Sequence, residues 1–133
     1  LAVDDAGQTI EMVGERGLTI TADGRLVRQA LVNLVDNALK YGKGGQLIRL
    51  GAERNGERVR ISVEDDGPGV PEAERTRVFE PYTRLPGDQV SERTGTGLGL
   101  AVVRRISEAC GGRVWIEDGT TRGARVIVEL RAP

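Results

Sequence analysis

Apolar and polar positions alternate through Thr9-Ile10-Glu11-Met12-Val13 and again through Leu18-Thr19-Ile20-Thr21, with Gly14 and Gly17 bracketing the gap. This period of two predicts one or two short, half-buried strands. The period then changes. Val27, Leu31, Leu34, Val35 and Ala38 recur at helical spacing, Asp23 stands at an N-cap position, and Gly42, Gly44 and Gly45 follow the last turn. A helix from about Gly24 to Tyr41 is predicted. Alternation returns over residues 46–53 and 57–64, joined through Asn55-Gly56, a dipeptide that tolerates positive φ and marks a hairpin. A Gly/Pro-rich stretch runs to Pro71, and residues 72–79 read as a short helix. Residues 81–95 have no clear period and read as a surface loop long enough to serve as a lid. A second helix starts near Thr96 or Gly97, carries Leu98, Leu100, Ala101, Val102, Val103, Ile106 and Ala109, and stops at Gly111-Gly112. Residues 113–117 and 125–130 form the closing strands. Hairpin strands with helices between them predict an α+β fold: a two-layer α/β sandwich whose mixed, mostly antiparallel sheet carries helices on one face. Residues 1–133 are expected to be a single domain, without repeats or linkers.

Composition closes several routes. The 133 residues balance 19 basic against 20 acidic side chains, so nothing draws the chain generally to nucleic acid or an anionic membrane. No apolar run approaches the ~20 residues that span a bilayer, and no signal-peptide pattern opens the sequence. Cys110 is the single cysteine, which excludes an internal disulfide. There is no histidine at all. That excludes a Ser-His-Asp triad, a Cys-His pair, a histidine-bound metal and a phosphohistidine within this chain. Lys40 and Lys43 are the only lysines, so arginine supplies 17 of the basic residues and a single arginine is a weak marker. Glycine is abundant, at 19 residues, and its placement becomes the useful signal.

Four segments carry candidate chemistry. In Asn33-Leu34-Val35-Asp36-Asn37-Ala38-Leu39-Lys40-Tyr41, the residues Asn33, Asn37 and Lys40 share one helix face, roughly opposite the apolar stripe. A solvated face is one reading, but Asn is a poor helix-interior residue and such faces are usually built from Glu, Lys and Arg. Amide oxygens for a hard cation, with an ammonium for phosphate, are the other; Mg²⁺ takes few protein oxygens and completes its shell with water and phosphates. Asp65-Asp66-Gly67-Pro68-Gly69-Val70 follows a strand. It is turn material by composition, or a carboxylate at a pocket floor able to accept from an exocyclic amine, with Gly67 and Gly69 letting backbone approach a flat ring. Gly95-Thr96-Gly97-Leu98-Gly99-Leu100 opens a helix, where free N–H groups and the dipole favour an anion. It fits neither the dinucleotide fingerprint nor the Walker A loop. In Val78-Phe79-Glu80-Pro81-Tyr82-Thr83-Arg84, Phe79 is most simply core. Arg84 and Arg93 flank the lid, where each is read either as a phosphate contact or as surface charge among many arginines.

In this order and spacing, the four segments resemble the ATP-binding catalytic domain of two-component sensor histidine kinases, within the wider ATPase group of gyrase, MutL-type repair proteins and heat-shock chaperones. Residues 33–41 look like the family's N box, 65–69 its first glycine box, 79–82 its F box and 95–100 its second glycine box; the likeness spans about residues 8–130. The resemblance implies the Bergerat-type fold, a left-handed β-α-β sandwich with ATP between the helical layer and a lid. It implies Mg²⁺ on Asn37 with Asn33 beside it, phosphate or ribose contacts from Lys40 and Tyr41, and adenine N6 on Asp65 with Gly67, Gly69 and Val70 at the ring. Backbone around Thr96, Gly97, Leu98, Gly99 and Leu100 would hold phosphates, and Arg84 would reach the γ-phosphate. Hydrolysing members carry Glu at position 33 as general base; Asn33 cannot abstract a proton, which favours transfer to a protein acceptor. The stretch Thr120-Thr121-Arg122-Gly123-Ala124-Arg125-Val126 matches the family's last motif only loosely, and no site residue is assigned there.

The implied function is protein-histidine kinase activity: Mg-ATP is bound and its γ-phosphate passes to a histidine on a separate dimerisation domain of the same full-length protein, with a response regulator downstream. That acceptor domain is expected outside this chain, and the module is expected on the cytoplasmic side as part of a membrane-bound sensor. An anti-sigma-factor-type serine kinase and a nucleotide-sensing module without transfer are the alternatives.

Overall fold

The computed structural model describes residues 2–3, 9–15, 17–41, 47–81, 99–120 and 123–133. Strands β1 (Ala2–Val3), β2 (Thr9–Gly14), β3 (Leu47–Asn55), β4 (Arg58–Glu64), β5 (Arg113–Asp118) and β6 (Ala124–Arg131) form one sheet in the order β1-β2-β3-β4-β6-β5. Helices α1 (Gly24–Tyr41) and α2 (Gly99–Ala109) pack side by side over one face. Strand β2 runs parallel to β3, from Thr9 opposite Leu47 to Gly14 opposite Ala52, because α1 is the crossover between them. The other neighbours are antiparallel. The mixed α+β sandwich is therefore the observed fold.

Local chemistry explains the element ends. Asp23 caps α1: its Oδ1 accepts the Arg25 N–H at 2.9 Å and its carbonyl accepts Val27 N–H at 3.1 Å. Helix α2 ends in a Schellman pair, with Gly112 N–H on the Ser107 carbonyl at 2.8 Å and Gly111 N–H on Glu108 at 3.0 Å.

Three expectations shift. Leu18–Thr21 is not a strand: Thr21 N–H donates to the Arg131 carbonyl at the end of β6, and one such bond does not make a ladder. The β3–β4 turn residues are Gly56 and Glu57, with Asn55 paired to Arg58, one place later than the Asn55-Gly56 reading. Residues 72–79 form two 3₁₀ turns, Glu72–Glu74 and Arg77–Phe79, in place of one helix. The break falls at Arg75, whose side chain turns away to the Val70 carbonyl (3.0 Å) and to Asp118. The start of α2 expected near Thr96 or Gly97, the glycine stop after Tyr41 and all but the first residue of the lid expected over 81–95 lie outside the described residues.

Alternation sorts the sheet into two faces. Ile48, Val63, Ile116, Val126, Val128 and Leu130 join Leu34 and Ala38 of α1 and Val103 and Ile106 of α2 in the core. Phe79 is buried, as expected. On the opposite face Trp115 lies beneath the Arg60 and Arg113 guanidinium groups, 5.2 and 4.6 Å from its ring centroid. Both arginines also pair with buried Glu129, at 2.8 and 3.2 Å.

Candidate functional site

The most buried line of α1 is Ala30, Leu34 and Ala38, at 3%, 1% and 3% exposure. This corrects the placement of the asparagines. Small side chains at positions 30 and 38 let neighbouring elements come closest there, so the core line is centred on Leu34, while Val32 (56% exposed) marks the outward side. Asn33 and Asn37 lie about 100° and 60° round the helix from Leu34. They are half-buried at the flank of the core, not opposite it. The Asn33 Oδ1 accepts from Gln29 Nε2 at 2.9 Å, one turn back. That bond occupies one lone-pair side of Asn33 and fixes its amide. Lys40 and Tyr41 stand in the last turn of α1.

The second group sits at the end of β4. Asp65 leaves the strand with its N–H on the Ala124 carbonyl at 3.0 Å, while its Oδ1 accepts Gly67 N–H at 2.8 Å. Burial pushes the Asp65 carboxyl above the ordinary aspartate range, aided by the charges of Asp66 and Glu64; the bonds from Gly67 and Ala124 pull the other way without prevailing. Gly67 is buried, and Gly69 and Val70 are half-buried. Val70 packs against the core. Arg75 braces the Val70 carbonyl, so this loop is tied down at both ends.

Gly123 is the residue that sequence reasoning missed. It holds φ +84°, and a Cβ built on it would stand 2.1 Å from the Asp65 carbonyl oxygen and 3.0 Å from Asp65 Oδ1. A Cβ on Gly69, at φ +82°, would stand 3.2 Å from the Gly123 carbonyl oxygen. The backbone of Gly123 therefore lies between Asp65 and Gly69. A glycine in a loosely matching C-terminal segment gave no sign of this, since the close approach joins residues 58 positions apart. Gly99 and Leu100 begin α2, half-buried, beside α1. Arg84, Thr96, Gly97 and Leu98, with Tyr82 and Arg93, lie outside the described residues.

Comparison with known proteins gives the family. The family described as histidine kinase-, DNA gyrase B- and HSP90-like ATPase matches residues 22–133. The chain belongs to this family. It is 48% identical over 107 residues to the adaptive-response sensory kinase SasA of Parasynechococcus marenigrum (strain WH8102), covering 79% of this chain and 27% of that protein. It is 39% identical over 107 residues to SasA of Rippkaea orientalis (strain PCC 8801 / RF-1), covering 80% and 27%. The chain thus spans about a quarter of the curated relatives it matches. Among solved structures, a mycobacterial sensor histidine kinase, MprB, superposes with a TM-score of 0.80 at 25% identity, over 94% of this chain and 82% of that one. Full-length ShkA in complex with AMPPNP gives 0.80 at 34% identity, over 97% and 27%. Within the family the chain is an ATP-binding catalytic domain of the sensor histidine kinase type. Among the described residues no helix is long and apolar enough to cross a membrane.

Proposed function

We propose that residues 1–133 act as a single catalytic domain that binds Mg-ATP and donates the γ-phosphate to a histidine on a separate dimerisation domain, with a response regulator as the next acceptor. The observation that carries this is the built Asp65–Gly67–Gly69–Val70 loop at the end of β4, in a chain that also bears the Asn33–Asn37 face on α1. Oδ1 of Asp65 is oriented by Gly67, and a carboxylate has acceptor capacity left for an adenine N6–H. Gly69 and Val70 would lie against the ring. Relatives support the rest: ShkA was solved with AMPPNP, and ThkA, 28% identical with a TM-score of 0.74, in complex with the response regulator TrrA.

The donor set fits Mg²⁺. Asn33 and Asn37 offer half-buried amide oxygens one helical turn apart, hard neutral donors of the kind Mg²⁺ takes a few of while completing its shell with water and phosphate oxygens. Asn37 would be the protein ligand, and Asn33, its Oδ1 engaged by Gln29, would lie beside it or hold water. When bound, the metal neutralises charge on the phosphates. The chain itself would position ATP: Lys40 and Tyr41 at phosphate or ribose, the backbone of Thr96, Gly97, Leu98, Gly99 and Leu100 around the phosphates, and Arg84 at the γ-phosphate. Asn33 has no basic group with which to activate water, so transfer outruns hydrolysis. Positioning of donor and acceptor, together with charge neutralisation by the metal, Lys40 and Arg84, would supply most of the rate. In the whole protein, the domain would work on the cytoplasmic side of a membrane-bound sensor.

The test is calorimetry with Mg-ATP followed by transfer of radiolabelled phosphate to an added histidine-hairpin domain. Asn37→Ala and Asp65→Asn should each weaken nucleotide binding at least tenfold; wild-type affinity in either would refute the site. Normal binding with no transfer to the hairpin would favour the sensing or serine-kinase alternative.

A further inference from the structure

Glu64 is a buried carboxylate with no part in the site as proposed. It ends β4, immediately before Asp65, with 4% of its surface exposed. Alternation sends its side chain to the sheet face away from the helices, between its cross-strand partners Arg49 and Arg125. Its Oε2 accepts the Thr120 backbone N–H at 2.7 Å and Arg49 NH1 at 3.2 Å. Its Oε1 accepts Thr120 Oγ1 at 3.2 Å and Arg125 Nε at 3.0 Å. Arg125 NH2 closes the ring on Thr120 Oγ1 at 3.1 Å. Thr120 is the anchor of the β5–β6 turn, which Gly119 N–H closes on the Gly123 carbonyl at 3.1 Å. That same turn delivers the Gly123 backbone onto Asp65 and Gly69.

We propose that Glu64 is a positioning residue for base recognition: by gripping Thr120 it holds the β5–β6 turn, and through Gly123 it fixes the carboxylate of Asp65 that reads the exocyclic amine of the nucleotide. This rests on the nucleotide reading above and adds a determinant that touches no ligand. The geometry makes the coupling direct. Glu64 and Asp65 are adjacent in the chain, so one residue holds the turn from the outer face of the sheet while its neighbour carries the carboxylate assigned to the base. The turn is tied to Asp65 at the residue after Gly123, whose carbonyl accepts the Asp65 N–H at 3.0 Å, and the space between Gly123 and Asp65 is too small to admit a Cβ. Four donors converge on Glu64, and removing the acceptor takes the shared counter-charge from Arg49 and Arg125, leaving Arg49 its longer pairing with Asp66 at 3.9 Å.

The experiment compares ATP with ITP, which has a carbonyl oxygen where ATP has the N6 amine. Dissociation constants for Mg-ATP and Mg-ITP are measured by calorimetry on the 133-residue chain and its variants, with Trp115 fluorescence checking that each is folded at the same temperature. The wild-type chain should prefer ATP by roughly tenfold or more. Glu64→Ala should bring the ATP:ITP ratio close to one, mainly by weakening ATP roughly tenfold. Glu64→Gln, which keeps an acceptor for Thr120 N–H, should recover much of the preference. If Glu64→Ala does not fold, Thr120→Val decides, since it removes only the hydroxyl; it should lower the ratio roughly threefold. A folded Glu64→Ala, or failing that Thr120→Val, with the wild-type ratio overturns the proposal, as does an equal loss of both nucleotides, which is the mark of simple destabilisation. A wild-type chain that binds ATP without preferring it overturns base reading by Asp65 and this proposal together. A wild-type chain that binds no ATP overturns the proposed function itself.

Discussion

Gly123→Ala separates backbone strain from close packing, provided Gly56→Ala is measured beside it. Both glycines have positive φ, +84° and +65°. An alanine at either position carries the left-handed penalty of about 1–2 kcal/mol. Nothing lies within 4 Å of a Cβ on Gly56, so Gly56→Ala should cost that penalty and little else. At Gly123 the new methyl would meet a backbone oxygen at 2.1 Å, where real contacts keep at least 3.0 Å. Asp65 or the turn must move by about 1 Å in a close-packed region, and overpacking of this kind costs about 1–3 kcal/mol more. Gly123→Ala should therefore lose roughly 2–5 kcal/mol in urea unfolding followed by Trp115 fluorescence, against roughly 1–2 for Gly56→Ala. In thermal scans the excess should appear as a midpoint several degrees lower, at about 3–5 °C per kcal/mol. Mg-ATP affinity should fall at least tenfold in Gly123→Ala, since a displacement of about 1 Å at a recognition group is expensive, and should stay unchanged in Gly56→Ala. Equal destabilisation in the two variants, with equal ATP binding, would mean that the β5–β6 turn does not press on Asp65.

Asp65→Asn should split stability from binding. A carboxyl whose folded pKa is raised contributes stability that is fully present below its unfolded value near 3.8 and is lost as pH rises through the folded value, so at neutral pH the amide should leave the chain at least as stable as wild type while nucleotide affinity drops; urea unfolding and calorimetry at pH 7 test both halves. Because the ionised carboxylate is the acceptor for the adenine N6–H, wild-type ATP affinity should decline as pH falls through the raised Asp65 pKa, read by calorimetry across a pH series. Glu129 behaves in the opposite sense: hydrogen bonds from Arg60 outweigh its burial and, with those from Arg113, hold it below its ordinary 4.5, so its contribution is present above that value and disappears as pH falls through the folded pKa; Glu129→Gln should flatten the acid limb of the stability curve. Leu34→Ala removes the centre of the α1 core line, 1% exposed, and should cost about 3 kcal/mol in urea unfolding.

Most element types and their order were legible along the chain, because they follow from short-range causes; the exceptions are β1, which no pattern announced, Leu18–Thr21, which alternates without forming a ladder, and residues 72–79. The period of two marked β2 to β6, the period of 3.6 marked α1 and α2, Asp23 capped α1 and the glycine pair Gly111-Gly112 ended α2. Asp65, Gly67, Gly69 and Val70 were legible as a candidate site because chemistry and spacing lie within six consecutive residues. What periodicity misjudged was the rotation of α1. Val27, Leu31, Leu34, Val35 and Ala38 define a stripe, but which line is deepest depends on what packs against it, and Ala30 and Ala38 decided that in favour of the Leu34 line, leaving Asn33 and Asn37 at its flank. Residues 72–79 show the same limit: the segment divides at Arg75, whose side chain bonds the Val70 carbonyl and Asp118, and the second of these partners lies 43 positions away. Only the tertiary structure could bring Gly123 to Asp65 and Thr120 to Glu64. Those contacts exist because antiparallel pairing of β4 with β6 sets Glu64 opposite Arg125, and the β5–β6 turn then closes over the end of β4. Register between distant strands is an energy shared by the whole sheet, and no window along the chain contains it.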